Sequence, residues 1–315
     1  MTRARITSST PRKVPPFPAR ARVRAGSQTP EDAGLLAGAA LASLHPIACH
    51  DHPICGLWRQ RLALANAAAL ARHAGRTEDE AALRDAWYLG RANDDLGPAT
   101  RLLQARRRLA ERDPLERVVR LDLRPKDWMV DLTNALDVPL DEALEHVANA
   151  AKNLARGQGN ATAAAAAIAL VTLQKRPDAE AIALWLADAV LAHRLKWRAP
   201  VPLIAGQIRF LDLQALAAAD HEGDCVWWTT WAPAYARAAA AAADLYAELA
   251  GRAHQLLTAA PRLRSPDADR VLESFLSEDA QATTGLNSRR LFDRLIELDA
   301  VRELTGRLRR RLYGL

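Results

Sequence analysis

Apolar residues recur every three to four positions along most of the chain, which is the spacing of one face of an α-helix. The pattern extends from Thr29 to about residue 262, and Pro, Gly, Ser, Thr and Asn interrupt it where helices are expected to begin and end. Thr29, Pro30 and Glu31 supply a capping hydroxyl, a first-turn proline and an acid that suits the helix dipole. The pattern predicts a mainly α-helical protein with a multi-helical body.

The same spacing predicts the other helices of this body. Thr77 and Glu80 form a predicted capping box for the helix that carries Trp87. The run of alanines from 238 to 243 predicts a central, closely packed helix, because small side chains let neighbouring helices approach. The predicted helices after the first span Trp58 to near Gly75, the segment after Glu80, about 98–112, 125–136, 139–156, 160–176, 178–196 and 201–211, and Pro233 to Ala260.

The pattern changes after Pro261. A helix is predicted after Ser265, residues 280–286 are predicted to be irregular, and a second helix is predicted over 288–299. Alternating residues then predict strands at 300–305 and 308–313, joined by a tight turn at Gly306. We therefore predict a helical domain over 29–262 and a small module over 263–315 with two to three helices and a β-hairpin.

The basic charge of the chain is concentrated at its N-terminus. Seven basic residues and no acid precede Glu31, whereas the remainder carries 36 basic and 37 acidic residues. Residues 1–28 are rich in Arg, Pro, Ser and Thr, so we expect them to form a disordered basic tail. The net charge of +6 is therefore not evidence for a nucleic-acid-binding body.

The N-terminus lacks the apolar core of a secretory signal, and three cysteines are too few for a disulfide framework. The uncharged stretch at 157–174 consists mainly of alanine, which favours a buried helix over a membrane span. We expect a cytoplasmic protein without membrane association.

The C-terminal module carries a surplus of arginines. Arg290 and Arg294 lie on the predicted outer face of the second helix, at i,i+3 from Asp293 and Glu297. The hairpin is almost purely basic, which suits phosphate contacts with duplex DNA. The alternative is that the module packs on the body or on a protein partner. The predicted DNA-binding residues are Arg289, Arg290, Arg294, Arg307, Arg309, Arg310 and Arg311.

A loop rich in His and Cys is a second candidate site. Its side chains are of the types that bind zinc, but Cys49 and Cys55 are further apart than the usual pair in a structural zinc site. The alternative is an interhelical loop without metal. The candidate ligands are His45, Cys49, His50, His52 and Cys55. No nucleophile motif and no other cofactor site is evident, which favours a non-enzymatic protein.

Several stretches of the chain are distinctive. They are GLLAGAALASL (34–44), WRQRLALANAAALAR (58–72), EDEAALRDAWYL (78–89), NDDLGPATRLL (93–103), PVPLIAGQI (200–208), AYARAAAAAADLYAELAGRA (234–253) and 289–315. Together they resemble a bacterial protein family, domain of unknown function 1403. The family resemblance implies a bacterial, cytoplasmic helical protein and brings no catalytic residues. The run from Glu297 to Leu315 is also similar to the end of winged-helix domains, although 280–286 leaves little room for a middle helix.

Three functions remain open at this point. The first is an accessory or regulatory protein whose C-terminal module contacts DNA. The second is a helical scaffold for protein interactions, in which the module only packs. The third is a metalloenzyme that uses the His/Cys loop.

Overall fold

The computed structural model describes residues 11, 15–23, 29–90, 97–209, 211–214, 226–263, 265, 267–282, 286–305 and 311–315. The protein is mainly α-helical, as the apolar pattern predicts, with a small sheet near the C-terminus. The helices are α1 (Pro30–Ala48), α2 (Pro53–His73), α3 (Glu80–Leu89), α4 (Pro98–Glu111), α5 (Leu115–Leu121), α6 (Met129–Leu136), α7 (Glu142–Arg156), α8 (Ala161–Lys175), α9 (Glu180–Arg194), α10 (Val226–Ala259), α11 (Ala268–Ser277) and α12 (Leu286–Glu297).

Polar side chains start several helices by accepting hydrogen bonds from exposed main-chain N–H groups. The Thr29 hydroxyl accepts from the N–H of Asp32 at 3.2 Å, which confirms the predicted start of α1. The predicted capping box at Thr77 is wrong. Asp79 caps α3 instead, because its carboxylate lies next to the first helical residue and accepts from the N–H of Ala82 at 2.8 Å.

Two predicted boundaries differ from the structure. Among the described residues 195–209, a short 3-10 helix, Ile204–Gly206, takes the place of the helix predicted over 201–211, and residues 211–214 are helical. The buried Asp188 carboxylate accepts hydrogen bonds from the N–H groups of Leu203 and Ile204, which holds this segment in another conformation. Helix α10 begins before its predicted start and continues through Pro233.

The body is built around the long helix α10, which packs along α1. Helices α8 and α9 pack against each other, and α2 packs on α4. Five of the six alanines from 238 to 243 are buried, as predicted for a central helix. The indole of Trp58 donates to the carbonyl of Ala242 at 2.7 Å and packs edge-on against Tyr246. The rings of Trp58 and Tyr246 therefore fill the space beside a helix whose alanine side chains are small.

The C-terminal segment adds a three-stranded antiparallel sheet. Strands β1 (Gln281–Ala282), β2 (Arg302–Glu303) and β3 (Leu312–Gly314) are arranged in the order β1–β3–β2. Strand β1 lies in a stretch that the sequence predicts to be irregular. Glu303 pairs with Tyr313, and the predicted tight turn at Gly306 lies outside the described residues.

The module and the body share one hydrophobic core. The ring of Phe292 lies 5.2 Å from the rings of both Phe275 and Tyr313. All three belong to the same buried cluster as Trp58 and Tyr246 of the body. The segment after residue 262 is therefore packed as part of the main core.

Residues 15–23, which the sequence predicts to be disordered, have defined structure. Ala19–Ala21 form a 3-10 helix, and Ala21 is buried. The Arg22 guanidinium donates to both carboxylate oxygens of Asp244 on α10, at 2.8 and 2.6 Å. Among the described residues, no helix is long and apolar enough to cross a membrane.

Candidate nucleic-acid interface and its junction with the body

The buried carboxylate of Asp279 joins the C-terminal module to three helices of the body. Asp279 follows α11, and its side chain is fully buried. It forms ion pairs with Arg61 of α2, with Arg84 of α3 at 2.9 Å and with Arg107 of α4 at 3.7 Å. One carboxylate thus faces three buried cations, and each cation comes from a different helix.

Main-chain hydrogen bonds strengthen this junction. The Gln60 side chain of α2 donates to the carbonyl of Ser277 and accepts from the N–H of Asp279, both at 3.1 Å. A guanidinium nitrogen of Arg61 donates to the main-chain oxygens of Asp279 and Leu315. The residues before β1 and after β3 are therefore held against α2.

Helix α12 presents a polar face to solvent while its apolar face is buried. Leu291, Phe292 and Leu295 are buried, whereas Arg289 and Arg290 are exposed. The predicted ion pair between Arg294 and Glu297 forms at 2.7 Å. Ile296, 39% exposed, adds an apolar contact point to this face. Within the described contacts, Arg289 and Arg290 have no acidic partner.

The hairpin carries further arginines beside α12. Arg311 pairs with Glu303 at 3.2 Å, and Arg302 approaches Glu248 of α10 at 3.8 Å. The predicted DNA-binding residues Arg307, Arg309 and Arg310 lie outside the described residues. Residues 286–315 contain eight arginines and four acidic residues. The segment of α12 and the hairpin, here called the outer side of the module, is therefore basic in sequence. Three of its described arginines face carboxylates.

Residues 49–52 join α1 to α2, whereas His45 and Cys55 of the predicted His/Cys loop lie in the last turn of α1 and the first turn of α2. The side chains of the His/Cys loop serve local contacts. The Nδ1 of His45 accepts from the indole of Trp197 at 3.0 Å, and its Nε2 lies 3.5 Å from the Sγ of Cys49. The Nδ1 of His52 accepts from the N–H of Ile54 and caps α2. The ring of His50 stacks on that of His52.

The cysteines of this loop are poorly suited to hold a metal. Cys55 is buried, and burial raises the pKa of the thiols of both Cys49 and Cys55, which disfavours the thiolate that binds metal. In the part of the chain that the structure describes, no three His, Cys, Asp or Glu side chains are placed to share a metal ion.

A buried ion pair lies in the core of the body. Arg106 of α4 donates to Asp188 of α9 at 3.1 Å, and both side chains are almost completely buried. Burial raises the pKa of Asp188 to about 6, despite the Arg106 cation and two main-chain N–H donors. The nearby hydroxyl of Tyr235 is buried without a hydrogen-bond partner among the described residues, and burial raises its pKa.

The model of a protein family described as "Protein of unknown function (DUF1403)" matches residues 5–315. The chain belongs to this family. The match confirms the resemblance found in the sequence, and it covers both the C-terminal module and the His/Cys loop. No curated protein matched the chain.

The DUF1403 match assigns no functional residue, so the geometry has to indicate the sites. Sequence spacing identified the arginines of α12 but missed Asp279 and its three partners, which are about 170 to 220 residues away along the chain. It also missed Arg106 and Asp188. The sequence feature that could have identified Arg106 is its position as a single arginine on an otherwise apolar helix face.

Proposed function

We propose that this protein is a non-enzymatic accessory or regulatory protein that contacts duplex DNA through the outer side of its C-terminal module. The supporting observation is the exposed face of α12, where Arg289 and Arg290 have no acidic partner among the described residues, next to an arginine-rich hairpin. Guanidinium groups on a rigid helix beside a hairpin suit phosphate contacts, which position a protein on DNA.

The connectivity of the module supports the same proposal. A helix, a strand, a second helix and a hairpin follow one another, and β3 lies between β1 and β2. This order is similar to that of winged-helix domains without their middle helix. The second helix and the hairpin are the parts that such domains present to DNA, and here they carry the arginines.

The test measures binding to a duplex by fluorescence anisotropy between about 50 and 300 mM salt. Each phosphate contact contributes about 0.9 to the slope of log affinity against log salt. Replacing Arg289 and Arg290 by Ala is expected to lower the slope by about 2. The matched control replaces Arg124 and Arg209, whose side chains are 83% and 79% exposed on the body, and is expected to leave the slope unchanged.

A second variant replaces Arg307, Arg309, Arg310 and Arg311 by Ala and is expected to lower the slope by about 3 to 4. The DNA role of the module is abandoned if neither variant changes affinity or slope, or if the protein does not bind DNA at about 50 mM salt. A slope that is lost only when residues 1–28 are removed assigns the binding to the tail.

The alternative is a helical scaffold for protein interactions, in which the module only packs. The buried junction at Asp279 favours this alternative, because it fixes the module firmly on the body. Three arginines of the outer side also face carboxylates. The scaffold predicts no DNA binding at physiological salt and a stable complex with another protein in size-exclusion chromatography with light scattering.

A further inference from the structure

An open cleft of about 850 Å³ lies between the His/Cys loop and the module junction. The loop and the start of α2 form one wall, α4 forms the opposite wall, and Glu278 and Trp87 contribute to the lining. Clefts of roughly 300–1,000 Å³ are the size that holds small molecules. The cleft is therefore large enough for a small organic ligand.

Arg59 is a buried cation in the wall of this cleft. It is 9% exposed, and its guanidinium donates to the carbonyls of Ala48 at 2.6 Å and of Cys55 at 3.4 Å. Its Nε is buried without a partner, and no carboxylate forms an ion pair with it among the described residues. A buried charge is costly unless an opposite charge accompanies it. An anion in the cleft would supply that charge.

The surroundings of Arg59 favour an anion over a cation. Helix α2 has no acidic residue in its first turn, and Pro53 and Gly56 of that turn line the cleft. The positive end of the α2 dipole therefore lies at the cleft wall. Arg107 and Arg108 of α4 add two further cations to the lining.

Two of the three carboxylates in the lining already have partners. Asp51 pairs with Arg198 at 2.8 Å, and Glu278 accepts from the hydroxyl of Tyr88 at 3.4 Å. The lining holds three carboxylates and four arginines, Arg59, Arg107, Arg108 and Arg198, so its cations outnumber its acids by one. Arg107 also faces Asp279 at the module junction. The positive charge of the cleft is therefore not cancelled by its own acids.

Trp87 supplies a flat surface beside these cations. It is half-buried, and the guanidinium of Arg107 lies 4.8 Å from its ring centre. A cation stacked on an aromatic ring forms a rigid planar wall, against which a planar ligand group can pack. The cleft thus combines a buried cation with an aromatic surface.

We propose that this cleft binds a small organic anion, whose phosphate or carboxylate group pairs with Arg59 while a planar part lies against Trp87. Neither the helical body nor the DNA-contact proposal assigns this site. The inference stands independently of DNA binding, because its observations lie in the body and its test uses no DNA.

The experiment is isothermal titration calorimetry of the full chain with adenosine 5′-monophosphate, adenosine and benzoate as probes. Adenosine monophosphate or benzoate is expected to bind, and adenosine is expected to bind at least tenfold more weakly than its phosphate, since it lacks the anion. Binding of only one of the two anions identifies the preferred group. If neither anion binds, or if adenosine binds as tightly as its phosphate, the proposal is overturned.

Variants then test the residues. Arg59→Met is expected to weaken anion binding by about 10- to 100-fold, which is the range for loss of a hydrogen bond to a charged group. Arg59→Lys keeps the charge and is expected to lose less. The matched control is Arg124→Met, an exposed arginine outside the cleft. Unchanged affinity in Arg59→Met overturns the proposal.

A folding defect in Arg59→Met would be detected by circular dichroism. In that case, Arg108→Met tests the opposite wall of the same cleft and is expected to weaken anion binding at least several-fold. Trp87→Leu is expected to reduce binding of adenosine monophosphate but not of inorganic phosphate. If both variants bind as the unmodified protein does, the cleft is not the binding site.

Discussion

Removal of the Asp279 carboxylate is the most direct test of the junction between module and body. Asp279→Asn keeps the shape of the side chain but leaves three buried arginines without their anion. Breaking a buried pair by removing one partner costs about 3–5 kcal/mol. The upper half of that range is expected here, because Arg61, Arg84 and Arg107 all face this one carboxylate.

This free energy converts into a measurable shift in melting temperature. The entropy of unfolding is about 2.1 cal/mol/K per residue, and the chain has 315 residues, so unfolding changes entropy by about 0.66 kcal/mol/K. A loss of about 4–5 kcal/mol therefore lowers Tm by about 6–8 °C. Differential scanning calorimetry, together with circular dichroism to follow the helices, measures this shift.

The control is Asp244→Asn, which removes the exposed ion pair with Arg22. The two side chains are 54% and 43% exposed, and surface pairs contribute about 0–1 kcal/mol, so Tm is expected to fall by less than about 2 °C. Adding Arg84→Met to Asp279→Asn removes one of the unpaired cations and is expected to restore part of the loss. If Asp279→Asn melts within about 2 °C of the unmodified protein, the carboxylate does not hold the junction.

Two further changes test the core and the sheet. Burial raises the pKa of Asp188 from 3.8 to about 6, so the folded protein binds this proton more tightly than the unfolded chain does. The free energy of unfolding therefore falls by about 3 kcal/mol as the pH rises from about 4 to 6. Urea unfolding of Asp188→Asn is expected to lack this fall, and an unchanged pH dependence would contradict the assignment. Gly314→Ala places a Cβ 2.7 Å from the main-chain oxygen of Asp279 and from Leu304, and is expected to cost about 1–3 kcal/mol. Gly38→Ala, in open space on α1, is the control and is expected to stabilise by about 0.5–1 kcal/mol in the same urea assay.

The sequence predicts most of the helices because helix formation depends on residues close together in the chain. The Thr29 cap, the apolar spacing of α12 and the ion pair between Arg294 and Glu297 all depend on residues three or four positions apart. Such relations can be found without knowing which elements meet. The helical class and the buried alanine run of α10 follow from the same local rules.

The secondary-structure predictions are wrong where residues distant in the chain determine the local conformation. The segment after α9 has helical spacing, but the Asp188 carboxylate takes the N–H groups of Leu203 and Ile204. Strand β1 is two residues long, and it forms because Gln281 pairs with Tyr313 of β3. Neither partner can be identified from the short segment alone.

The arrangement around Asp279 also explains why a change of pattern is a poor guide to how separately a segment folds. The sequence after Pro261 differs from the body in its spacing and in its arginine content, which suggests an independent module. Its first helix and strand are nevertheless fixed by side chains of α2, α3 and α4, and its rings lie in the same core as those of the body. A buried carboxylate that needs cations from three other helices can be satisfied only when those helices are already packed. The C-terminal segment therefore depends on the body for its structure, and the exposed polar face of α12 belongs to a segment that α2, α3 and α4 hold in place.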